Sequence, residues 1–145
     1  MTISDAVARR IFKALDRFNI ELPSWGFADT GTRFGKFHQP AAASTVEEKF
    51  HDAGHVNALT GACPTVAVHV LWDFDVDGGE AAYRDVKKLA KDNGIAIGSI
   101  NANVFQDQCY KYGSFCSPDE KARQQAIEHT LQCIDIGKAT SSRLL

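Results

Sequence analysis

Thr65-Val66-Ala67-Val68-His69-Val70-Leu71-Trp72 is the stretch on which the fold turns. It is rich in β-branched side chains and apolar almost without a break, the pattern of a strand covered on both faces, as in a parallel sheet. Parallel strands require helical crossovers, and the flanks supply them. Upstream, Ser44 with Glu47 three residues on reads as a capping box. The stripe Val46, Phe50, Ala53, Val56, Leu59 then predicts a helix that Gly61 and Pro64 end. Downstream, after a loop over residues 73–79, a helix is predicted from about 80 to 93. Ala82, Val86, Leu89 and Ala90 point inward, and Asn93-Gly94 forms a left-handed stop.

The same alternation continues to both ends. Residues 4–19 place Val7, Ile11, Leu15 and Phe18 on one face of a first helix. Strands are predicted over residues 20–26 and 95–104, on either side of the central one. A last helix is predicted to start at Ser117-Pro118-Asp119-Glu120, with Ala126, Ile127, Leu131 and Ile134 inward. The order is a helix followed by three strand-helix units, and Leu144-Leu145 reads as the start of a fourth strand. A closed barrel of eight units needs roughly 250 residues. The expectation is therefore an α/β fold, an incomplete (β/α)8 TIM barrel, with residues 1–145 as a single domain.

The 145 residues carry 16 basic and 18 acidic side chains, with 44% hydrophobic and 23% charged, the balance of a soluble domain. No basic run offers a footprint for nucleic acid or for an anionic membrane. The N-terminus has neither the apolar stretch of a signal peptide nor a spanning segment, so a cytoplasmic location is expected. Cys63, Cys109, Cys116 and Cys133 form no CxxC pair and are expected to be reduced thiols.

In a parallel sheet the C-terminal strand ends converge on one rim, where enzymes of this architecture place their active sites. Those ends hold Ser24-Trp25, His69 with Trp72-Asp73, and Asn101, Asn103, Phe105 and Asp107. Aromatic rings beside amides and carboxylates suit a sugar, with its apolar C–H faces and hydroxyl rim. For His69 two readings stay open, a ligand-facing imidazole or a core histidine bonded to a neighbouring carbonyl. Two further patterns have weak claims to a metal. His51-Asp52-Ala53-Gly54-His55 spaces two histidines one turn apart but lacks the glutamate of a zinc protease. His129 and Cys133 are likewise one turn apart, with Cys109 and Cys116 elsewhere, at spacings that are not diagnostic. Thr30-Gly31-Thr32 lacks the lysine and spacing of a phosphate loop.

Six segments in order resemble the N-terminal part of L-rhamnose isomerases of the broad-specificity bacterial type. They are Pro23-Ser24-Trp25-Gly26, Thr30-Gly31-Thr32-Arg33-Phe34, His69-Val70-Leu71-Trp72-Asp73, Asn101-Ala102-Asn103-Val104-Phe105, Tyr110-Lys111-Tyr112-Gly113-Ser114, and Glu128-His129 through Cys133 to Ile136-Gly137-Lys138. The resemblance implies the N-terminal portion of a xylose-isomerase-like (β/α)8 barrel, usually a tetramer, interconverting aldoses and ketoses with divalent ions, commonly manganese. It implies that Trp25, Phe34, Trp72 and Phe105 wall the pocket of a monosaccharide substrate and that His69 assists ring opening. Asp73 and Asn103 are the polar substrate-binding candidates beside them. The metal ligands of the family lie on later strands, so no metal ligand is assigned here, and the 145-residue chain alone is expected to be inactive. The alternatives are a ketose 3-epimerase of the same superfamily and a non-catalytic sugar-binding module.

Overall fold

The computed structural model describes residues 3–29, 37–142 and 144–145. Helix α1 (Asp5–Leu15) leads into strand β1 (Glu21–Pro23), which ends in a 3-10 turn over Ser24–Gly26. Helix α2 (Val46–Thr60) leads to strand β2 (Thr65–His69), and the single helical turn α3 (Val70–Asp73) follows at once. Helix α4 (Gly79–Asp92), strand β3 (Ala96–Asn101), a 3-10 turn over Gln108–Tyr112 and helix α5 (Glu120–Thr140) complete the order.

The sheet runs β1-β2-β3, and both pairings are parallel. Glu21 pairs with Thr65 and Thr65 with Ala96, and the β2–β3 register shifts between Val66 and Val68. As the expected double covering requires, Val66, Ala67, Val68 and His69 are all buried. The Glu21 carboxylate also accepts from the Ser99 amide at 2.9 Å, so one side chain ties the two outer strands across β2. A Cβ at residue 98 would meet that carboxylate, so a side chain there would require the Glu21 side chain to shift. Beyond β3, Leu144 forms a parallel bridge to Ser99, and its carbonyl accepts from Ile100 N at 3.1 Å.

The four predicted helices and first three strands are present and the expected fourth strand is a single bridge at Leu144, but several boundaries and faces differ. The strands are shorter than expected at 21–23, 65–69 and 96–101. In β2 the reason is local: the Asp73 carboxylate accepts from His69 N at 2.8 Å and His69 Nδ1 accepts from Leu71 N at 3.3 Å, so the chain curls into α3. The cap of α2 is Thr45, not Ser44. Its hydroxyl accepts from Glu48 N at 3.3 Å, while Glu48 reaches back to Ser44 N at 2.7 Å. Helix α5 is capped by Asp119, with Pro118 outside it, because the Ser117 hydroxyl turns to accept from Asp119 N instead.

The helix faces carry the larger corrections. Phe50 and Ala53 of α2 are buried, yet Leu59 is 82% exposed. Helix α5 buries Ala122, Ala126, Cys133 and Ile136 and leaves Ile127, Leu131 and Ile134 in solvent. Helix α1 buries nothing, and its apolar residues Val7, Ile11 and Leu15 stay exposed.

Helices α2 and α4 approach through Gly54, where an added methyl would drive into the carbonyl oxygen of Asn93 at the end of α4. Backbone has little room to yield, so Gly54→Ala is expected to destabilise by about 1–3 kcal/mol despite the higher helix propensity of alanine. Urea unfolding of the two proteins checks this, and a stabilised variant would refute the close contact.

Candidate functional site

Three strand ends meet at one rim and bring four rings together. His69 closes β2, and the α3 turn folds the Trp72 ring back over it, with centroids 3.7 Å apart and planes 17° from parallel. Trp25, on the turn after β1, meets Trp72 edge-on at 6.3 Å. Phe105, beyond β3, meets His69 edge-on at 6.4 Å. Trp72 and Phe105 are 42% and 63% exposed, whereas His69 beneath them is 2% exposed. The rings form a wall with an imidazole at its base. Phe34, expected to join this wall, lies outside the described residues.

A buried polar network fixes that wall. Asp73 lies at its centre: Oδ1 accepts from Lys49 Nζ at 2.8 Å, while Oδ2 accepts from Ser24 Oγ at 2.5 Å and from His69 N at 2.8 Å. Lys49 Nζ also donates to the Trp72 carbonyl at 3.1 Å. One carboxylate therefore ties the β1 end, the β2 end and α2 together. Both Asp73 oxygens are engaged and its side chain is fully buried, an arrangement that holds the strand ends in shape. Lys49 was missed in the sequence, and Ser24 was picked out at its strand end without a role. A legible signal existed for Lys49, which sits three residues after Val46 and four before Ala53, within the apolar face of α2, where a lysine must find a buried partner.

His69 has one nitrogen committed. Nδ1 accepts from Leu71 N, so in the neutral ring Nε2 carries the proton, and Nε2 is buried without a partner among the described residues. Burial lowers its pKa below 6.5, partly offset by Asp73 and reinforced by His129 and Lys49. The unfolded chain takes up a proton near pH 6.5 that the folded chain refuses, so stability is unaffected above that pH and falls as pH drops below it. Comparing unfolding free energies of the wild type and His69→Asn between pH 7.5 and 5 should show a steeper acid loss in the wild type. Parallel curves would contradict it.

Asn103 is also buried. Its backbone N–H donates to His129 Nε2 at 2.9 Å, its Nδ2 reaches Asp107 Oδ1 at 3.5 Å, and its Oδ1 has no partner among the described residues. His51 and His55 stand on the exposed side of α2, with rings 5.2 Å apart. All four cysteines are free thiols. Cys133 points into the core, where burial pushes its thiol up to about 11. Among the described residues, no group of three or more His, Cys, Asp or Glu could hold a metal ion, and none of their helices is long and apolar enough to cross a membrane. The described residues therefore do not by themselves fit the divalent ion that the resemblance implies.

Fold and site together define a parallel α/β unit with an aromatic cluster over a buried histidine at the C-terminal rim of its sheet. No family model matches the chain. It is 33% identical to a "Probable sugar isomerase" of Rhizobium meliloti over 99% of its own length and 35% of that protein. It is 34% identical to a "Probable sugar isomerase" of Mesorhizobium japonicum, over 97% and 32%. A shorter match, 35% identical over 37% of the chain and 14% of the relative, is to a xylose isomerase of Thermus thermophilus. The chain is thus similar to sugar isomerases over nearly its whole length, and it spans about a third of the length of the curated relatives it matches.

Proposed function

We propose that the protein is an aldose–ketose sugar isomerase of the L-rhamnose isomerase type, with residues 1–145 forming the N-terminal portion of its (β/α)8 barrel. The observation that carries this reading is the ring cluster of Trp25, His69, Trp72 and Phe105 at the C-terminal ends of parallel strands, in a chain similar to sugar isomerases. The indoles and the phenyl ring cover the C–H face of a monosaccharide and exclude water from it. His69 Nε2–H, an unspent donor at the base of the wall, gives a hydrogen bond to the ring oxygen and passes its proton there as the C1–O bond breaks, the proton released by the C1 hydroxyl restoring the neutral imidazole. Asn103 Oδ1 offers an acceptor to a sugar hydroxyl. Residues outside 1–145 would hold the divalent ion that the resemblance implies, and that ion would supply Lewis-acid chemistry toward the opened sugar. The working assembly is a homo-oligomer.

The protein, purified with whatever coding sequence follows Leu145, should convert L-rhamnose to its ketose in the presence of manganese. Isomerisation in deuterated water should leave the migrating hydrogen unexchanged, because a hydride shift does not pass through solvent, whereas an epimerase moving protons would incorporate deuterium. Trp25→Ala and Trp72→Ala should raise KM more than they lower kcat, since stacking is made in ground and transition state alike. The 145-residue chain alone should be inactive. No conversion of any aldose by the full-length protein would overturn the reading.

A further inference from the structure

Helix α5 packs on the outside of the sheet, yet two of its side chains reach over the strand ends to the turn that carries Phe105. His129 Nε2 accepts from Asn103 N at 2.9 Å, and Gln125 Nε2 donates to Asp107 Oδ2 at 3.0 Å. Residues 125 and 129 lie one helical turn apart, so they share a face of α5 and grip residues 103 and 107 on either side of Phe105. Asp107 is tied in turn to Asn103 Nδ2. Phe105 itself is 63% exposed, too open for packing to fix it. The two tethers to α5 thus flank, on either side in the chain, the residue whose ring stands edge-on to His69.

The His129 ring is no part of a zinc site. Its Nε2 lone pair is spent on a backbone amide, and Cys133, one turn on, faces the core.

We propose that His129 is a positioning residue for the sugar pocket: by accepting the Asn103 amide it sets the turn that presents Phe105, and Gln125 braces the far side of the same turn. The assignment rests on the sugar-isomerase reading for its kinetic consequence, but not for its geometry. His129→Leu removes the acceptor and leaves a buried N–H unpaired, which in other proteins weakens the affected state by roughly tenfold or more. The variant should therefore raise KM for a cyclic aldose about tenfold with kcat changed less than about twofold. In a Phe105→Ala background the same replacement should add less than about twofold, because the ring it positions is gone. His129→Gln, whose side-chain oxygen reaches about as far as Nε2, should restore most of the loss and serves where the leucine variant folds poorly.

The experiment uses the protein as its gene encodes it and combines these kinetics with hydrogen exchange of the Asn103 amide. Exchange at Asn103 should accelerate at least about tenfold in His129→Leu and return toward wild type in His129→Gln. Unchanged exchange, or an equal kinetic penalty with and without Phe105, would overturn the assignment. If the wild type isomerises no sugar, the functional reading fails, and the exchange measurement still decides whether His129 holds the turn.

Discussion

Lys49→Ala will cost the fold about 3–5 kcal/mol, the range found when one partner of a buried ion pair is removed. Both side chains of the Lys49–Asp73 pair are almost wholly out of solvent, 2.8 Å apart, and truncating the lysine strands a carboxylate in the interior. Stability of a domain this size is typically only about 5–15 kcal/mol, so the variant should lose a large share of it and unfold at distinctly lower urea. The loss should exceed the simple removal of methylenes. Lys49→Met, which keeps most of the stem and drops only the charge, should be nearly as damaging. Urea unfolding of the three proteins, followed by circular dichroism and by Trp25 and Trp72 fluorescence, distinguishes the cases. A loss below about 1 kcal/mol would give the pair the value of a surface salt bridge and remove it as the tie between strand ends.

His69→Asn should lower kcat on a cyclic aldose by on the order of 10²-fold in the full-length protein, the usual size of lost acid–base help. Asparagine suits this test because its side-chain oxygen can stand in for Nδ1 as the acceptor for Leu71 N, so α3 keeps its cap while Nε2–H disappears. The stacking partner of Trp72 shrinks as well, so unfolding curves and KM must be compared before kcat is interpreted. Ring opening proceeds slowly in water without help. Part of the loss should therefore vanish for an aldose that cannot cyclise. An equal loss on both substrates would reject the ring-opening role and return His69 to substrate orientation.

The site was legible where residue type and strand position coincide. Trp25, His69, Trp72 and Phe105 stand out because aromatic and imidazole groups at the C-terminal ends of parallel strands must share a rim. Asp73 was visible as a residue but not as a role. Only the structure shows its two oxygens divided between Lys49, Ser24 and His69 N, which lie 24, 49 and 4 residues away in the chain. His129 was conspicuous for the wrong reason, its spacing to Cys133, because a sequence pattern does not say which ring nitrogen meets which amide across a helix–strand contact.

Local sequence by itself determined the alternation of helices and strands, the left-handed stops at Gly61 and Gly94 and the burial of β2 on both faces. These follow from periodicity and backbone sterics within a few residues. The face each helix turns inward was decided only by tertiary packing. Helix α5 carries two apolar stripes, and the sheet took Ala126, Cys133 and Ile136 while leaving Ile127, Leu131 and Ile134 outside. Helix α1 is amphipathic as its sequence dictates, yet it buries nothing. Amphipathicity states that a face can be covered, and burial requires a neighbour close enough to cover it. Likewise α3 ended β2 three residues early, because the free energy of His69 N and Leu71 N is lower with the Asp73 carboxylate and His69 Nδ1 as acceptors than in a longer ladder.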